Sequence, residues 1–577
     1  MHAEVRAALA AGSERLAAWA DLLDEINVFP VADGDTGRNL LISLLPLRRL
    51  DAATPALRED LLMSARGNSG NIAARFFSGW LEDSLGRGEL GAAARRGRAL
   101  AWQAVAEPRA GTMLSLFDAL DEALAAAPAA EDEALLGPVL DRLEAAVRAT
   151  RETLPKLRAA GVVDAGALGM FIFFDGFFHA LAGRAEGGRP VTARFHEGLR
   201  LSEGFAGERE AGFCVDAVLR ADDADGLAAR AGELGESVVA ISQGGYLKLH
   251  LHTDDREATR ARLAGLGALV HFDSDDMSVQ ADGFARPAAA GPRVHVLCDA
   301  AGSVTRADAR ALGLGLLDSY VLLGRRALPE THVRQEELYA AMRRGERVST
   351  SQASLRERHL CYQKALGLHP RVLYVCVGSV FTGNFQVARD WRREADPEGR
   401  MRVLDSGSAS GRLGLAVLST GRRAAAGDSP ESVEEHARWA VDKAEELLFL
   451  DQLKFLAAGG RLGRTSAFFG DLLHMKPVVS PRPDGARKLA VLRAREDQRR
   501  FARERLLAAA QADGPLWIMV EYTDNQAWVE GELLPELRAA LPGCELFPQP
   551  LSLTTGSHTG PGTWGVAWLP LRARPTR

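Results

Sequence analysis

The hydrophobic periodicity of the chain changes twice along its length, and each change constrains the fold of the next segment. Up to about residue 190, apolar residues recur every three or four positions, as in LGPVLDRLEAAVRATRETLPKLRAAG, which is typical of amphipathic helices. Further on, the runs GFCVDAVLRA and ESVVAISQGGYLKLHLHT predict strands that flank a helical segment. Towards the C-terminus, short apolar strands such as RVLYVCVGS alternate with helical segments, which predicts a parallel sheet. We therefore expect an all-α domain over 1–190, a small α+β domain over 200–285 and an α/β domain over 293–577.

The charge balance argues against one broad class of function. The chain has 70 basic and 76 acidic side chains and a net charge of -6, so we do not expect a nucleic-acid partner. Its five cysteines form no CxxC pair, which favours a reducing compartment, and the first residues do not read as a signal peptide. The most apolar stretch, residues 166–183, carries Asp175 and His179 in its middle and is better explained as a buried helix than as a membrane span. We expect a cytoplasmic protein without a transmembrane segment.

Two glycine-containing loops carry residue types that bind nucleotides. In INVFPVADGDTGRN (26–39), Asp33 and Asp35 flank a glycine, so two carboxylates can converge on one side of a tight turn. Paired hard oxygen ligands suit Mg²⁺, which would bridge the phosphates of ATP, although Asp-Gly turns are also common on surfaces. In ARGNSGN, Asn68 or Ser69 can cap the next helix while its free N–H groups meet a phosphate. The chain has no G-x-x-x-x-G-K-[ST] motif, so a P-loop kinase is not expected.

Four motifs in order resemble a known family of kinases. DGDTG-x-N, ARGNSG, P-x-x-GT and GVVDAG are similar to the nucleotide-binding subunit of dihydroxyacetone kinases and, more closely, to the ATP-binding subunit of bacterial fatty acid kinases. This resemblance covers residues 1–190 and implies a helical barrel that holds ATP and two Mg²⁺ ions at one rim. The metal ligands that it implies are Asn27, Asp33 and Asp35. The nucleotide-binding residues that it implies are Thr36, Asn39, Asn68, Ser69, Gly70 and Thr112, with Asp164 in support. Arg38 departs from the family, which usually has a small hydroxyl residue at this position.

The segment YLKLHLHT alternates leucines with polar residues, so Lys248, His250 and His252 lie on one face of a predicted strand. Cys214 lies on a strand predicted earlier in the chain. Two histidines at positions i and i+2 can share a metal ion, but an exposed polar face is the commoner explanation of such a pattern. The Cys…His-x-His arrangement also resembles the middle domain of the fatty acid kinase ATP-binding subunit. That resemblance implies Zn²⁺ on Cys214, His250 and His252.

Five motifs after residue 293 resemble the DegV family of fatty-acid-binding proteins. They are VSTSQAS, GSVFTGNFQVA, LDSGSASGRLG, LAAGGRLGRTSAFFGDLLHMKPVV and SHTGPGTWG. The resemblance implies a two-lobed α/β domain, in which loop hydroxyls at strand ends and other donors would hold a carboxylate. The candidate donors are Thr350, Ser351, Ser379, Arg461 and His558. Three features depart from the family: alanines in the loop 299–303, Gly378 in place of a serine and Ala353 in place of a proline.

Together, these resemblances predict a fatty acid kinase with both halves in one chain, which transfers the ATP γ-phosphate to a fatty acid carboxylate and releases acyl phosphate and ADP. Two alternatives stay open. One is a dihydroxyacetone (glycerone) kinase, and the other is a non-catalytic lipid-binding or sensing protein. The expected partners are ATP, a fatty acid and an enzyme that accepts the acyl phosphate. A homodimer and transient membrane contact are compatible with the same resemblance.

Overall fold

The computed structural model describes residues 1–51, 53–82, 85–126, 132–184, 189–202, 204–205, 212–277, 293–458 and 475–571. The chain divides into two compact units, Met1–Pro287 and Ala288–Arg577, which are described separately.

The first unit begins with helices. They are α1 (Ala3–Glu25), α2 (Thr36–Leu44), α3 (Thr54–Ser64), α4 (Gly67–Trp80), α5 (Leu90–Ala104), α6 (Met113–Ala126), α7 (Asp132–Thr153), α8 (Pro155–Ala160), α9 (Ala165–Leu181) and α10 (Val191–Arg194). Seven of them form a closed ring, because each contacts the next in the order α1, α2, α4, α5, α6, α7 and α9, and α9 contacts α1. The prediction of an all-helical barrel is therefore confirmed.

Close helix packing and aromatic side chains fill this ring. Gly12 allows α1 to approach α9, since a Cβ there would lie 2.7 Å from the backbone oxygen of Phe173. Phe76 on α4 stacks on Phe117 on α6, with ring centroids 4.0 Å apart, and Trp80 is fully buried beside them. The core of the barrel is thus a packed aromatic cluster, which fixes the positions of the loops at the helix ends.

The apolar segment of α9 is a buried helix, as predicted. Its Asp175 is fully buried, forms an ion pair with Arg15 of α1 and lies 3.3 Å from the Nδ1 atom of His179. The buried negative charge of Asp175 is thus paired with a positive charge inside the bundle. In the part of the chain that the structure describes, no helix is both long enough and apolar enough to cross a bilayer.

A four-stranded antiparallel sheet completes the first unit. Its strands are β1 (Phe213–Arg220), β2 (Glu236–Gln243), β3 (Tyr246–Thr253) and β4 (Ala268–Asp276), in the order β2-β3-β1-β4. The helices α11 (Ala224–Ala229) and α12 (Arg256–Leu266) pack against the sheet. The leucines of β3 enter its hydrophobic core, whereas Lys248, His250 and His252 lie on the opposite face, as predicted. That face is not exposed, because α4 packs against β2 and β3 and all three polar side chains are buried. The interpretation as an exposed polar face is therefore wrong.

The described residues of the second unit form three sheets. A parallel sheet in the order β11-β10-β5-β6 is formed by β5 (His295–Asp299), β6 (Gly315–Leu317), β10 (Val372–Cys376) and β11 (Met401–Asp405), which confirms the predicted parallel pairing. A six-stranded mixed sheet in the order β14-β13-β12-β17-β15-β16 is formed by β12 (Glu445–Phe449), β13 (Lys476–Arg482), β14 (Gly485–Leu492), β15 (Leu516–Tyr522), β16 (Glu545–Pro550) and β17 (Trp564–Pro570). A third, antiparallel sheet joins β7 (Ser319–Leu323), β8 (Arg326–Pro329) and β9 (Val348–Gln352).

Helices cover these sheets. They are α13 (Arg306–Leu312), α14 (Gln335–Arg343), α15 (Leu355–Leu368), α16 (Asn384–Ala395), α17 (Ser410–Ala425), α18 (Pro430–Lys443), α19 (Lys454–Ala458), α20 (Arg495–Asp513), α21 (Gln526–Trp528), α22 (Leu534–Ala540) and α23 (Leu553–Thr559). Every residue of β10 is buried, as expected for a strand at the centre of a parallel sheet. One hydrophobic core lies at the parallel sheet, another lies at the six-stranded sheet, and a third contains residues of both sheets, in agreement with the predicted α/β architecture.

Candidate functional site

The first motif forms the loop between α1 and α2. Gly34 adopts a φ of +64°, a left-handed conformation that glycine adopts without strain, and this turn brings together the flanking carboxylates of Asp33 and Asp35. The side-chain amide of Asn27 donates to Asp33 Oδ1. Arg38, on the first turn of α2, places its guanidinium Nη2 3.5 Å from Asp35 Oδ2. Arg38 therefore contacts the acidic pair directly.

The acidic pair has the electrostatics of a cation site. Burial and the neighbouring carboxylate of Asp35 raise the pKa of Asp33 well above its ordinary value. The geometry thus concentrates negative charge that a divalent cation would neutralise. Oxygen atoms of Asn27, Asp33 and Asp35 are the hard ligands that Mg²⁺ prefers, so this donor set fits the predicted metal.

The second motif forms the start of α4. The helix begins at Gly67, its N-cap is Arg66, and no side chain caps it. The prediction that Asn68 or Ser69 caps the helix is therefore wrong, since both lie within its first turn. The hydroxyls of Thr36 and Ser69 lie 3.2 Å apart and connect the first two loops.

Two further predicted nucleotide residues lie where α2 and α4 meet. Asn39 is buried beside Gly67, and a side chain at Gly67 would collide with its amide. A Cβ at Gly70 would collide with Ser43, so Gly70 allows the two helices to approach closely. These residues hold the start of α4 against α2.

Thr112 and Asp164, in the third and fourth motifs, lie close to each other. Asp164 caps α9 by accepting the N–H of Ala167 at 2.7 Å, and the backbone of Met113 also donates to its carboxylate. Burial raises the pKa of Asp164 to about 7. Thr112, next to Met113, donates its hydroxyl to the carbonyl of Arg109 at 2.8 Å. Asp164 thus supports the third loop.

Cys214, His250 and His252 form a compact trio on β1 and β3. Their ligand atoms all lie within 4.8 Å of one another, and all three side chains are buried. Antiparallel pairing places Cys214 directly opposite His252, and the Cys214 Sγ lies 3.8 Å from His250 Nε2. Burial, together with the neighbouring His250, lowers the pKa of His252 to about 3, so this imidazole stays neutral. A thiol and two imidazoles, one of them held neutral, suit Zn²⁺.

The trio and the acidic loop line one cavity. Its lining residues are Asn27, Phe29, Pro30, Asp33, Asp35, Thr36, Gly67, Asn68, Ser69, Cys214, His250 and His252. The two candidate metal sites are therefore neighbours. Burial raises the pKa of Cys214, and the charges of Asp216, Asp35 and Asp33 raise it further, as expected for a thiol beside several carboxylates.

Two residues that the sequence analysis did not assign to a site join the sheet to the start of α4. Asp216, on β1, accepts the backbone N–H of Gly67 at 3.1 Å and lies 3.3 Å from His250 Nδ1. Lys248, on β3, donates to the carbonyl of Ala65. Asp216 lies two positions after Cys214, and Lys248 lies two positions before His250. Side chains two positions apart on a strand lie on the same face, so this spacing could have placed both residues beside the trio.

In the second unit, the structure brings together two of the predicted carboxylate donors. Thr350 Oγ1 and His558 Nε2 lie 3.1 Å apart, on β9 and α23. Thr350 and Ser351 lie inside a strand rather than in a loop at a strand end, so they face opposite sides of the sheet and Ser351 is exposed. Ser379 follows β10 in a different sheet, where its N–H donates to Asp405 Oδ1 at 3.0 Å. Arg461 lies outside the described residues.

The departures from the family motif in the loop 299–303 coincide with a buried structural element. Ala300 and Ala301 lie in a short 3-10 helix and are buried. Asp299, just before them, accepts hydrogen bonds from Arg358 and from the backbone N–H of Val377, both at 2.8 Å. This aspartate fixes the loop that follows β10 and carries Ser379.

Three family models match the chain in succession. One described as the DAK2 domain matches residues 30–179, one described as the middle domain of proteins like the A subunit of fatty acid kinase matches residues 210–284, and one described as an uncharacterised protein of the DegV family matches residues 293–571. The chain carries a DAK2 domain, a fatty-acid-kinase-like middle domain and a DegV domain. The cavity described above is thus lined by residues of the DAK2 domain and of the middle domain.

The chain matches curated proteins over part of its length. Protein YloV of Bacillus subtilis is 30% identical over 300 residues, which cover 47% of this chain and 54% of that protein. An uncharacterized protein of Staphylococcus saprophyticus is 27% identical over 270 residues, which cover 42% of this chain and 49% of that protein. The chain thus spans about half the length of the curated relatives that it matches.

Solved structures resemble the DegV domain. One is a DegV family protein from Thermus thermophilus, and its description refers to fatty acid binding. It is 26% identical to this chain, and the match covers 48% of this chain and 100% of that protein with a TM-score of 0.43. DegV of Bacillus subtilis, described as a fatty acid binding protein, is 20% identical, with 49% and 100% covered and a TM-score of 0.45.

Proposed function

We propose that this chain is a fatty acid kinase, in which the DAK2 domain binds ATP and the DegV domain presents a fatty acid carboxylate. One observation carries the proposal. The carboxylates of Asp33 and Asp35 and the first turn of α4 line one cavity, in a chain that also carries a DegV domain. Acidic oxygens suit the metal of a metal–nucleotide complex, and N–H groups in the first turn of a helix suit its phosphates.

The residues of the DAK2 domain have distinct proposed roles. Asn27, Asp33 and Asp35 hold Mg²⁺, which when bound neutralises charge on the phosphates. Thr36, Asn39, Asn68, Ser69, Gly70 and Thr112 position the nucleotide directly or by holding the loops that do, and Asp164 supports the third loop. Arg38, beside Asp35, adds a positive charge at the edge of the same site.

The proposed reaction needs no strong base. An oxygen of the fatty acid carboxylate, which is ionised at neutral pH, forms a bond to the γ-phosphorus while the bond from that phosphorus to the β–γ bridging oxygen breaks. The bridging oxygen keeps the electron pair and leaves as part of ADP, and the products are acyl phosphate and ADP. Orientation and charge neutralisation then account for the catalysis.

The trio in the middle domain is the proposed Zn²⁺ site. Cys214, His250 and His252 are buried and close enough to share one ion, and burial keeps the His252 ring available as a neutral ligand. These three side chains would hold the ion, and a zinc ion held there would supply positive charge beside the cavity that they line.

In the DegV domain, Thr350 and His558 are the proposed central donors to the substrate carboxylate, with Ser379 and Arg461 as the other members of the proposed set. Ser351 leaves this set, because it faces the opposite side of the sheet from Thr350. Because both halves belong to one chain, the proposed fatty acid site can deliver its carboxylate to the proposed ATP site within one molecule. No separate carrier protein is then required. ATP use and five cysteines that form no disulfide fit a cytoplasmic location. The acyl phosphate would pass to an acceptor enzyme.

The test uses the purified full chain with Mg²⁺-ATP and a long-chain fatty acid, and hydroxylamine to trap acyl phosphate as a hydroxamate. We expect a hydroxamate that depends on both ATP and the fatty acid, without any added carrier. Phosphorylation of dihydroxyacetone without any hydroxamate would identify a glycerone kinase instead. Fatty acid binding with neither product would identify a lipid-binding or sensing protein.

A further inference from the structure

The carboxylate of Asp216 connects the trio to the nucleotide loop. Its Oδ2 accepts the N–H of Gly67, the first residue of α4, at 3.1 Å. Its Oδ1 lies 3.3 Å from both the side-chain amide of Asn71, one turn into α4, and His250 Nδ1. One side chain of the middle domain therefore contacts both a proposed metal ligand and the helix start that lines the proposed nucleotide site.

The contact with His250 also selects which ring nitrogen is free. When Nδ1–H donates to Asp216, the lone pair of His250 lies on Nε2, which is 3.8 Å from the Cys214 Sγ. Nε2 is then the nitrogen that binds a metal. A carboxylate behind a histidine ligand fixes the tautomer and orientation of the ring and strengthens the bond to the metal.

Lys248 provides a second connection between the sheet and the loop. Its buried ammonium donates to the carbonyl of Ala65, two residues before α4 begins. Asp216 and Lys248 therefore hold the loop from the same face of the sheet, one through an N–H group and one through a carbonyl. Only Asp216 also contacts the trio among the hydrogen bonds described for these two residues.

We propose that Asp216 is a positioning residue that couples metal binding at the trio to nucleotide binding at the start of α4. The His250 ring would be fixed by a bound metal, the ring positions the Asp216 carboxylate, and the carboxylate holds the N–H of Gly67 in the first turn. Each ligand then meets a site that the other has already ordered, so both bind more tightly together than alone. Such a coupling is reciprocal by thermodynamic necessity. The inference rests on the proposed nucleotide site.

The test measures binding rather than turnover, on the full-length chain. The affinity for Mg²⁺-ADP is measured by calorimetry with zinc-loaded and with chelator-treated protein, and the affinity for zinc is measured by competition with a chromogenic chelator, with and without Mg²⁺-ADP. We expect each ligand to strengthen the other by the same factor, of about fivefold or more. In Asp216→Asn, which keeps the shape of the side chain but removes its charge and one acceptor, that factor should fall to near one.

Two further variants make the result specific. Lys248→Met loosens the loop without removing a hydrogen bond to the trio, so it should weaken Mg²⁺-ADP binding more than it weakens zinc binding measured without nucleotide. Some effect on zinc is expected because the ammonium also acts on the Asp216 carboxylate. Glu236→Gln, an exposed carboxylate on the same sheet, should preserve the full coupling factor. Thermal unfolding of each variant checks that the fold is intact, and Lys248→Met keeps the proposal testable if Asp216→Asn does not fold.

The outcomes separate this inference from the proposed kinase activity. A full coupling factor in folded Asp216→Asn, or wild-type affinities that do not depend on the second ligand, would overturn it. A loss of zinc affinity in Lys248→Met equal to its loss of Mg²⁺-ADP affinity would also overturn it. If wild-type protein shows the coupling but forms no hydroxamate, the coupling stands and the fatty acid kinase proposal fails. Wild-type protein that binds no Mg²⁺-ADP would overturn both.

Discussion

Thr350 Oγ1 lies 3.1 Å from His558 Nε2, although 208 positions separate the two residues in the chain. The strand β9 presents the threonine and the short helix α23 presents the histidine. A hydroxyl and an imidazole at this distance form a pair of donors that one carboxylate oxygen can bridge. This pairing allows the proposed binding of the fatty acid carboxylate to be tested by substitution of either residue.

We predict that Thr350→Ala and His558→Ala each lower hydroxamate formation about tenfold or more, because each removes a donor to the fatty acid carboxylate. Ser351→Ala is the matched control. It removes a hydroxyl from the next residue of the same strand, which faces the other side of the sheet. The affinity for Mg²⁺-ATP should be unchanged in all three variants. Equal activity losses in Thr350→Ala and Ser351→Ala would argue against this assignment of faces.

We predict that Asp33→Asn and Asp35→Asn each reduce phosphoryl transfer by at least about 100-fold, since each removes a charged ligand from Mg²⁺. Neither variant should unfold. Asp35 raises the pKa of Asp33 through the repulsion of like charges, so removing one charge should leave the melting temperature of metal-free protein equal or higher. A marked drop in melting temperature would instead indicate a structural role for the pair.

We predict about one zinc ion per chain in protein purified without added metal, as measured by elemental analysis. Cys214→Ala, His250→Ala and His252→Ala should each lose it, because each removes one of three ligands. Cys544→Ala, which removes a thiol from the DegV domain, should retain the zinc and serves as the control. Zinc-free protein with normal folding and activity would contradict the prediction.

We predict that Glu330 makes the DegV domain less stable as the pH rises. Burial raises its pKa to about 8, against an ordinary value near 4.5, while the carboxylate accepts the backbone N–H of Thr554 at 2.8 Å. A raised pKa in the folded state stabilises the protein fully below the unfolded value, and this stabilisation is lost as the pH rises through the folded value. Between pH 4.5 and 8 the free energy of unfolding should therefore fall by about 1 kcal/mol per pH unit from this group.

Urea unfolding at pH 5, 6, 7 and 8 measures this slope. Glu330→Gln removes the titrating group, so its stability relative to wild type should increase across the series. Glu336→Gln, an exposed residue of α14, should keep the wild-type slope. Parallel pH profiles for Glu330→Gln and wild type would show that Glu330 is ionised in the folded protein throughout.

The sequence predicts contacts between residues that are close together along the chain. The two aspartates around Gly34 converge because one turn joins them, and the burial of α9 follows from its unbroken apolar composition. The shared cavity was not predicted, since it depends on how α4 packs against β2 and β3, which no spacing within one segment encodes. The sequence pattern predicts a loop at β9, because its serines and threonine do not show the alternation of apolar and polar residues that is typical of a strand. Pairing with β7 instead makes this segment extended.

The closure of the helical ring has a consequence for the order in which this protein is made. α1 ends at Glu25, whereas α9, against which it packs, begins at Ala165. A ribosome therefore releases the first helix long before its partner exists, and the apolar face of α1 stays uncovered for as long as the intervening residues take to emerge. The ring becomes complete only after Leu181 has left the exit tunnel, so that chains interrupted before this point expose the surface that chaperones bind.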